Sequence, residues 1–377
     1  MGRKSLAIIH FNPIELYPPI INLLNYLGEY FPETTVYVFT NNASNKIYNY
    51  TSNHKNVCIE RYGTINQRYS LPKRYWNYLS YYYKTYSSLK KICPNWLWYF
   101  ETISALPASW YLNNKKNQST KLIIHYHEYM SREEYESGPL MVKLAHRSEK
   151  KLYDIVNYLS HTNEKRMEFF LSDNNIELKN KTYVFPNYPP KNWISPGSNN
   201  EINIPIKVVY VGAIGMDSLY IKEFCKWVHD QNGKVRFDIF SNQDTNELQH
   251  YLSEKNLQHI SIKGYVRYDE LPSVLKKYDV GVILYNGHIP NYIYNAPNKL
   301  FEYWACGLDV WFPDNIEGSL SFVRHDNYPK IISIDFKKLD KIDLTAMINR
   351  TGISYKQSTF YCEKIFEKVT EKIFEKK

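Results

Sequence analysis

The feature that most limits what this chain can fold into is an order of elements. Short apolar, β-branched runs alternate with helical patterns, and the alternation occurs twice with a break between. The first half reads as strand Leu6–His10, a helical pattern over Pro18–Glu29, and strand Thr34–Thr40. It continues with strand Lys121–Tyr126, a helix around Leu140–Leu152, strand Ile155–Ser160, helix Glu164–Leu171 and Tyr183–Phe185. The break is PNYPPKNWISPGSNN, Pro186–Asn200, whose Pro, Asn, Ser and Gly continue neither element type. Alternation then resumes with strand Lys207–Val211, a glycine turn and a helix to about Asp230. Strand Val235–Phe240, helix Thr245–Glu254, strand Ile260–Ile262, helix Tyr268–Lys277 and strand Val280–Leu284 follow. After a loop come helix Asn298–Cys306 and strand Asp309–Phe312. Such alternation predicts a parallel sheet covered on both faces, and two such runs predict an α/β protein of two doubly wound domains. The expected boundaries are 1–185, a linker at 186–200, 201–355, and a C-terminal helix over 356–377 that packs near the domain junction. Ligands of open parallel sheets sit at the carboxyl ends of the strands, so a cleft between the domains is the expected site.

Composition removes several classes. With 377 residues the chain is long enough for two cores of ordinary size. It has no apolar run long enough for a membrane-spanning helix. The opening MGRKSLAIIHFNP has no small-residue cleavage site, so Leu6–His10 reads as a first strand and not as a signal peptide. Five scattered cysteines without a CxxC pair argue against a disulfide framework or a zinc site and for a reducing, cytoplasmic setting. The charge is lopsided. Through Pro190 there are 23 Lys and Arg against 15 Asp and Glu, while the remainder has 24 against 23. A negatively charged partner is therefore expected to meet the first half.

One block carries the clearest chemistry. In NKLFEYWACG, Asn298–Gly307, a helix starts just after a strand-end loop, so its orphan N–H groups can hold a diphosphate with Lys299 beside them. Glu302 lies one turn in, where a carboxylate could accept from two ribose hydroxyls. The plainer alternative is an i,i+3 surface pair. Gly212 and Gly215 form a turn at which backbone can approach phosphate. His125, His127 and Glu128 lie at the end of the strand that finishes near Tyr126. Glu128 could serve as a general base and His127 could polarise a donor, or both could be ordinary strand-end residues. The HxH spacing lacks a third ligand, so no metal is expected. Asn12, Glu15 and Tyr17, in the loop after the first strand, are candidate acceptor contacts.

Three blocks in this order, KVVYVGAIG (Lys207–Gly215), GYVRYDELPSVLKKYDVGVILY (Gly264–Tyr285) and APNKLFEYWACGLDV (Ala296–Val310), resemble the retaining group-1 (family 4) glycosyltransferases of the GT-B fold, two facing Rossmann-like domains. FPNYP, Phe185–Pro189, looks like that family's entry to the linker, and the first half matches only in outline. The resemblance implies a nucleotide-sugar donor, no cofactor and no required metal. It implies donor contacts from Gly212, Gly215, Tyr265, Val266, Arg267, Asn298, Lys299, Leu300 and Glu302. The nucleobase would lie at Tyr265–Arg267 and the ribose at Glu302. Two departures stand out. The nearest cation after the glycine turn is Lys222. Tyr294 occupies the position, eight residues before Glu302, where relatives often carry a glutamate that contacts the donor sugar, and Asn286–Ala296 has no carboxylate at all. The stereochemical outcome, retaining or inverting, is therefore open.

From Arg61 to Phe100 there are seven Lys and Arg, thirteen aromatics and no acid. Pro72–Ile92 can form a helix with Tyr75, Leu79, Tyr82, Tyr86 and Leu89 along one side and Lys73, Arg74, Lys84, Lys90 and Lys91 elsewhere. Such a helix can lie on an anionic bilayer, or be a core helix with a solvated basic face. No nucleic-acid module is present. The expectation is thus transfer of a hexosyl unit from a nucleoside-diphosphate sugar to a glycan hydroxyl, on a lipid-linked acceptor at the inner membrane face. A sugar-nucleotide epimerase and a non-catalytic nucleotide-sugar-binding subunit are the alternatives.

Overall fold

A computed structural model describes residues 4–43, 49–64, 69–178, 180–197 and 201–374. The last three positions of the expected linker, 198–200, and of the expected terminal helix, 375–377, lie outside the described residues. The chain divides into two compact units, Met1–Asn187 with Cys362–Lys377, and Tyr188–Tyr361.

In the first unit, β1 (Ser5–His10), β2 (Thr35–Asn42), β3 (Val57–Thr64), β4 (Trp96–Phe100), β5 (Lys121–Tyr126), β6 (Tyr158–His161) and β7 (Thr182–Val184) form one sheet. Every pairing is parallel, in the order β3-β2-β1-β4-β5-β6-β7. The central strands have no polar face. All five residues of WLWYF in β4 are buried, as are the last five of β1 and of β5. Covering both faces of a parallel sheet requires this continuous apolar run. Many of the packed rings are tyrosines, whose hydroxyls find acceptors inside. Tyr81 donates to the Phe39 carbonyl at 2.8 Å, Tyr82 to the Ile103 carbonyl at 2.9 Å and Tyr99 to Glu149 at 2.9 Å. The terminal helix, Cys362–Phe374, belongs to this unit. Its Phe366 ring meets Tyr26 at 5.3 Å and Phe185 at 5.5 Å, and Lys4 donates to the Phe374 carbonyl at 2.6 Å.

In the second unit, the strands are β8 (Ile206–Val211), β9 (Val235–Phe240), β10 (Ile260–Gly264), β11 (Val280–Val282), β12 (Asp309–Pro313), β13 (Asn327–Tyr328), β14 (Ile331–Ile334) and β15 (Ser354–Tyr355). Six of them form a parallel sheet in the order β10-β9-β8-β11-β12-β14, while β13 pairs with β15 apart from it. The winding repeats that of the first unit. Residues of the proline-rich stretch pack onto this unit through aromatic anchors. Tyr188 lies 4.6 Å from Phe301 and 5.1 Å from Phe360, Trp193 is buried, and the Ser195 amide donates to the Ala305 carbonyl at 2.7 Å.

Candidate functional site

The order of the second sheet reverses between β8 and β11, and in open parallel sheets ligands bind at the carboxyl ends of the strands where the order reverses. The loops leaving these two strands are stitched together. The Tyr220 amide donates to the Leu284 carbonyl at 2.7 Å, and the Asn286 side chain donates to the Asp217 carbonyl at 2.7 Å. Gly212 directly follows β8 with φ +152, and a Cβ built there would stand 2.7 Å and 2.8 Å from Cε and Nζ of Lys299. The lysine thus crosses the strand end where only a glycine leaves room. Its ammonium donates to the Tyr285 hydroxyl at 3.3 Å and lies 5.6 Å and 5.4 Å from the ring centres of Tyr210 and Tyr285. Burial disfavours this charge, but the Tyr285 and Tyr210 oxygens and the Glu302 carboxylate outweigh it and hold the pKa above the usual lysine value.

Lys299 projects from the helix Asn298–Ala305, which Pro297 opens without a side-chain cap. The first-turn N–H groups and the ammonium therefore present positive charge from one place. Glu302, one turn on, is 7% exposed, and among the described residues its carboxylate has no hydrogen-bond or ion-pair partner within the protein. Burial pushes its pKa up to about 7, with Lys299 opposing. A buried carboxylate without a partner, beside a fixed cation, is suited to accept hydrogen bonds from neutral hydroxyl donors.

The other second-unit candidates fall into three groups. Tyr265, Val266 and Arg267 follow β10, two strands away from Gly212, a separation of about 10 Å at ordinary strand spacing. Tyr265 is 43% exposed, Val266 packs against the core, and Arg267 holds Asp269 through two hydrogen bonds of 3.0 Å and 2.9 Å. Gly215 lies in the turn after β8, where a Cβ would collide with the Ser218 hydroxyl. Asn298 is at the helix start, but Leu300 is different: its side chain is fully buried and its amide donates to the Pro297 carbonyl at 3.0 Å. Leu300 anchors the helix and has neither group left for a ligand. Lys222 pairs with Asp217 at 3.5 Å. Tyr285 and Tyr210, which frame the ammonium, were missing from the sequence-based set, because only the winding of the sheet brings them to Lys299.

The first sheet reverses in the same way between β1 and β4, and its strand ends gather several candidates. His127 lies 5.4 Å from Tyr17 and 6.4 Å from His10, ring to ring, and Asn12 donates to the Tyr17 hydroxyl at 3.2 Å. His125 and His127 share a hydrogen bond of 3.2 Å. Among the described residues, no group of three or more His, Cys, Asp or Glu side chains is placed to hold a metal ion. Among the described residues, Nε2 of His10, His127 and His161 is buried without a hydrogen-bond partner, and burial drives the His10 pKa down to about 4 and that of His127 to about 3. Glu15 stands apart from this group. Its carboxylate binds Arg61 at 2.5 Å and accepts the Tyr50 amide at 2.6 Å, which makes it a brace for the loop. Glu128 is exposed at the surface beside the cluster. His10 and Glu101 are additions that the sequence reading did not single out. Glu101 directly follows β4 at φ +64 and accepts the His127 amide at 2.7 Å, and burial and Glu128 raise its pKa well above the carboxylate range. Its outlying backbone supplies the signal that residue spacing lacks.

No family model and no curated protein sequence matches the chain. Solved structures do. Sucrose-phosphate synthase from Thermosynechococcus elongatus is similar over 99% of this chain and 99% of its own, with a TM-score of 0.71 and 13% identity. The Anabaena protein HepE, solved in complex with UDP and glucose, is similar over 99% of this chain and 100% of its own, with a TM-score of 0.66 and 11% identity. A glycosyltransferase from Rickettsia africae covers 100% of both chains with a TM-score of 0.63 and 11% identity. The likeness is one of fold, and together with the two parallel sheets it shows that the chain has the GT-B fold of glycosyltransferases.

Proposed function

We infer that the chain is a glycosyltransferase that moves a hexosyl unit from a nucleoside-diphosphate sugar to a hydroxyl of a lipid-linked glycan in cell-surface polysaccharide synthesis. The observation that carries the reading is the strand-end site of the second unit, where Lys299 lies across Gly212 and, among the described residues, the carboxylate of buried Glu302 has no hydrogen-bond or ion-pair partner. The diphosphate would bind at the start of the helix Asn298–Ala305 with Lys299, the ribose at Glu302, and the nucleobase beside Tyr265–Arg267. As the bond from the sugar's anomeric carbon to the diphosphate breaks, charge grows on the phosphate oxygens, and Lys299 and the helix N–H groups stabilise it in place. This gives the cation's role to the protein, so the reading includes no metal and no cofactor.

The acceptor oxygen forms the new bond to that carbon. We favour retention, in which the acceptor's proton passes to the departing phosphate. Inversion would assign the proton to a carboxylate, with Glu128 the candidate. Asn12 and Tyr17 would contact the acceptor, and His127 would act near the reacting bond as an uncharged imidazole. Its depressed pKa supports that state. The proposed location is the cytoplasm, at the inner face of the plasma membrane.

The test is turnover of a panel of nucleotide sugars with and without a lipid-linked acceptor, with the anomeric configuration of the product read by NMR. Transfer that depends on acceptor is expected. Epimer formation without acceptor would make the chain an epimerase, and binding without turnover would make it a nucleotide-sugar-binding subunit.

A further inference from the structure

The helix Leu71–Ile92 turns one line of side chains into the core of the first unit, with Tyr81, Tyr82, Thr85 and Leu89 buried. The sequence pattern placed Tyr82 and Leu89 on the same apolar side as Tyr75 and Leu79, but the structure separates them. At the 3.6-residue period, Trp76, Leu79 and Tyr83 form a second line beside the buried one. These three are 71%, 51% and 68% exposed. Half-exposed Trp110 extends the strip, meeting the Tyr82 and Tyr86 rings edge-on at 6.2 Å and 6.1 Å. A third line, again by period, holds Lys73, Lys84 and Lys91, all exposed, and among the described residues none of them pairs with a carboxylate. Lys73 lies over the Tyr69 ring at 3.8 Å. The helix therefore presents, in order around its axis, core, aromatic strip and basic line.

A contiguous exposed strip of large apolar side chains marks a contact surface. We propose that this face docks the protein on an anionic lipid bilayer, with Trp76, Leu79 and Tyr83 entering the headgroup boundary and Lys73, Lys84 and Lys91 lying against the acidic headgroups. Charge decides the occupant. A second copy would bring its own basic line to the same place, whereas acidic lipid complements it. Tyrosine and tryptophan also suit the boundary, because their rings are apolar and their polar atoms stay in water. The inference stands independently of the transferase reading, since it uses none of the second unit.

Co-sedimentation of the full chain with vesicles of equal parts phosphatidylglycerol and phosphatidylcholine tests it, with pure phosphatidylcholine as the comparison. Binding is expected on the mixed vesicles. It should weaken roughly a hundredfold in the combined Trp76→Ser, Leu79→Ser, Tyr83→Ser variant. A similar loss, roughly a hundredfold, is expected for Lys73→Gln, Lys84→Gln, Lys91→Gln. Brominated lipid should quench the wild-type tryptophan fluorescence, and Trp76→Phe should remove most of that quenching. Should the combined serine variant melt early, Trp76→Ser alone gives the reading. Equal binding to both vesicle types, or undiminished binding by the serine variant, would overturn the proposal. So would a dimer in the ultracentrifuge that the serine variant abolishes while vesicles bind neither protein.

Discussion

Gly212 and Lys299 constrain each other, and neither is intelligible alone. With φ +152 and the lysine's terminal atoms where a Cβ would stand, Gly212→Ala must strain the backbone and push the ammonium away from Tyr285. The variant should fold with a loss of about 1–3 kcal/mol and bind nucleoside diphosphates more weakly, which a thermal melt and a titration would separate. Glu302 supplies a pH signature. Its folded-state pKa, about 7, lies above the ordinary 4.5. The folded protein therefore keeps the proton in this window, so this stabilising contribution is complete below about pH 4.5 and is lost as pH rises through 7. Ribose hydroxyls favour the ionised form. Nucleotide binding near pH 7 should then release protons, seen as a buffer-dependent heat in calorimetry, and Glu302→Gln should bind without that release. Lys299 and Glu302 were legible in the sequence because they share one contiguous block, and helical spacing alone places them a turn apart. Tyr210 and Tyr285 were not, because the 74 residues between them must fold before the two rings meet at the lysine.

Whole elements were read well wherever apolar and polar stretches contrasted. Lys121–Tyr126 and Val235–Phe240 form strands with the expected bounds. β3 and β4 escaped, although β4 is central to its sheet. In Trp96–Phe100 the aromatic run has no alternation to mark it, and it closely follows a helix that is itself rich in rings, so composition there spoke more loudly than period. β14, Ile331–Ile334, went unread as well; its short apolar run lies beyond the blocks that organised the second half. The histidines at the first sheet's strand ends give this element its own prediction. His10 and His127 titrate near 4 and 3 when folded, against 6.5 ordinarily. Their contribution is present above pH 6.5 and is lost as pH falls toward 4, a change of roughly several kcal/mol. Glu101, with its raised pKa, opposes part of it. Chemical denaturation between pH 7 and 4.5 should show the loss, and replacing His10 with glutamine should flatten the profile.

At the scale of the molecule, the repeated alternation with a proline-rich break announced two parallel-sheet units, and the structure has them. The packing of the break was beyond reach, because Tyr188 and Trp193 look like loop residues until Phe301, Phe360 and Tyr268 lie beside them. The first unit is discontinuous, closed by Cys362–Phe374 through Phe366 and Phe374. Removing residues 362–377 should therefore lower the melting of the first unit by well over 5 °C while the second unit still binds nucleotide, as scanning calorimetry with and without ligand would show. The central claim is that the second unit grips a nucleoside diphosphate through Lys299 and Glu302. Calorimetric titration of UDP, ADP and GDP into the wild type and Glu302→Ala tests it most directly. At least one nucleotide should bind, and the variant should bind it roughly a hundredfold more weakly, the loss of two hydrogen bonds to a charged group. Equal affinity in the two proteins, or no nucleotide bound by the wild type, would contradict it.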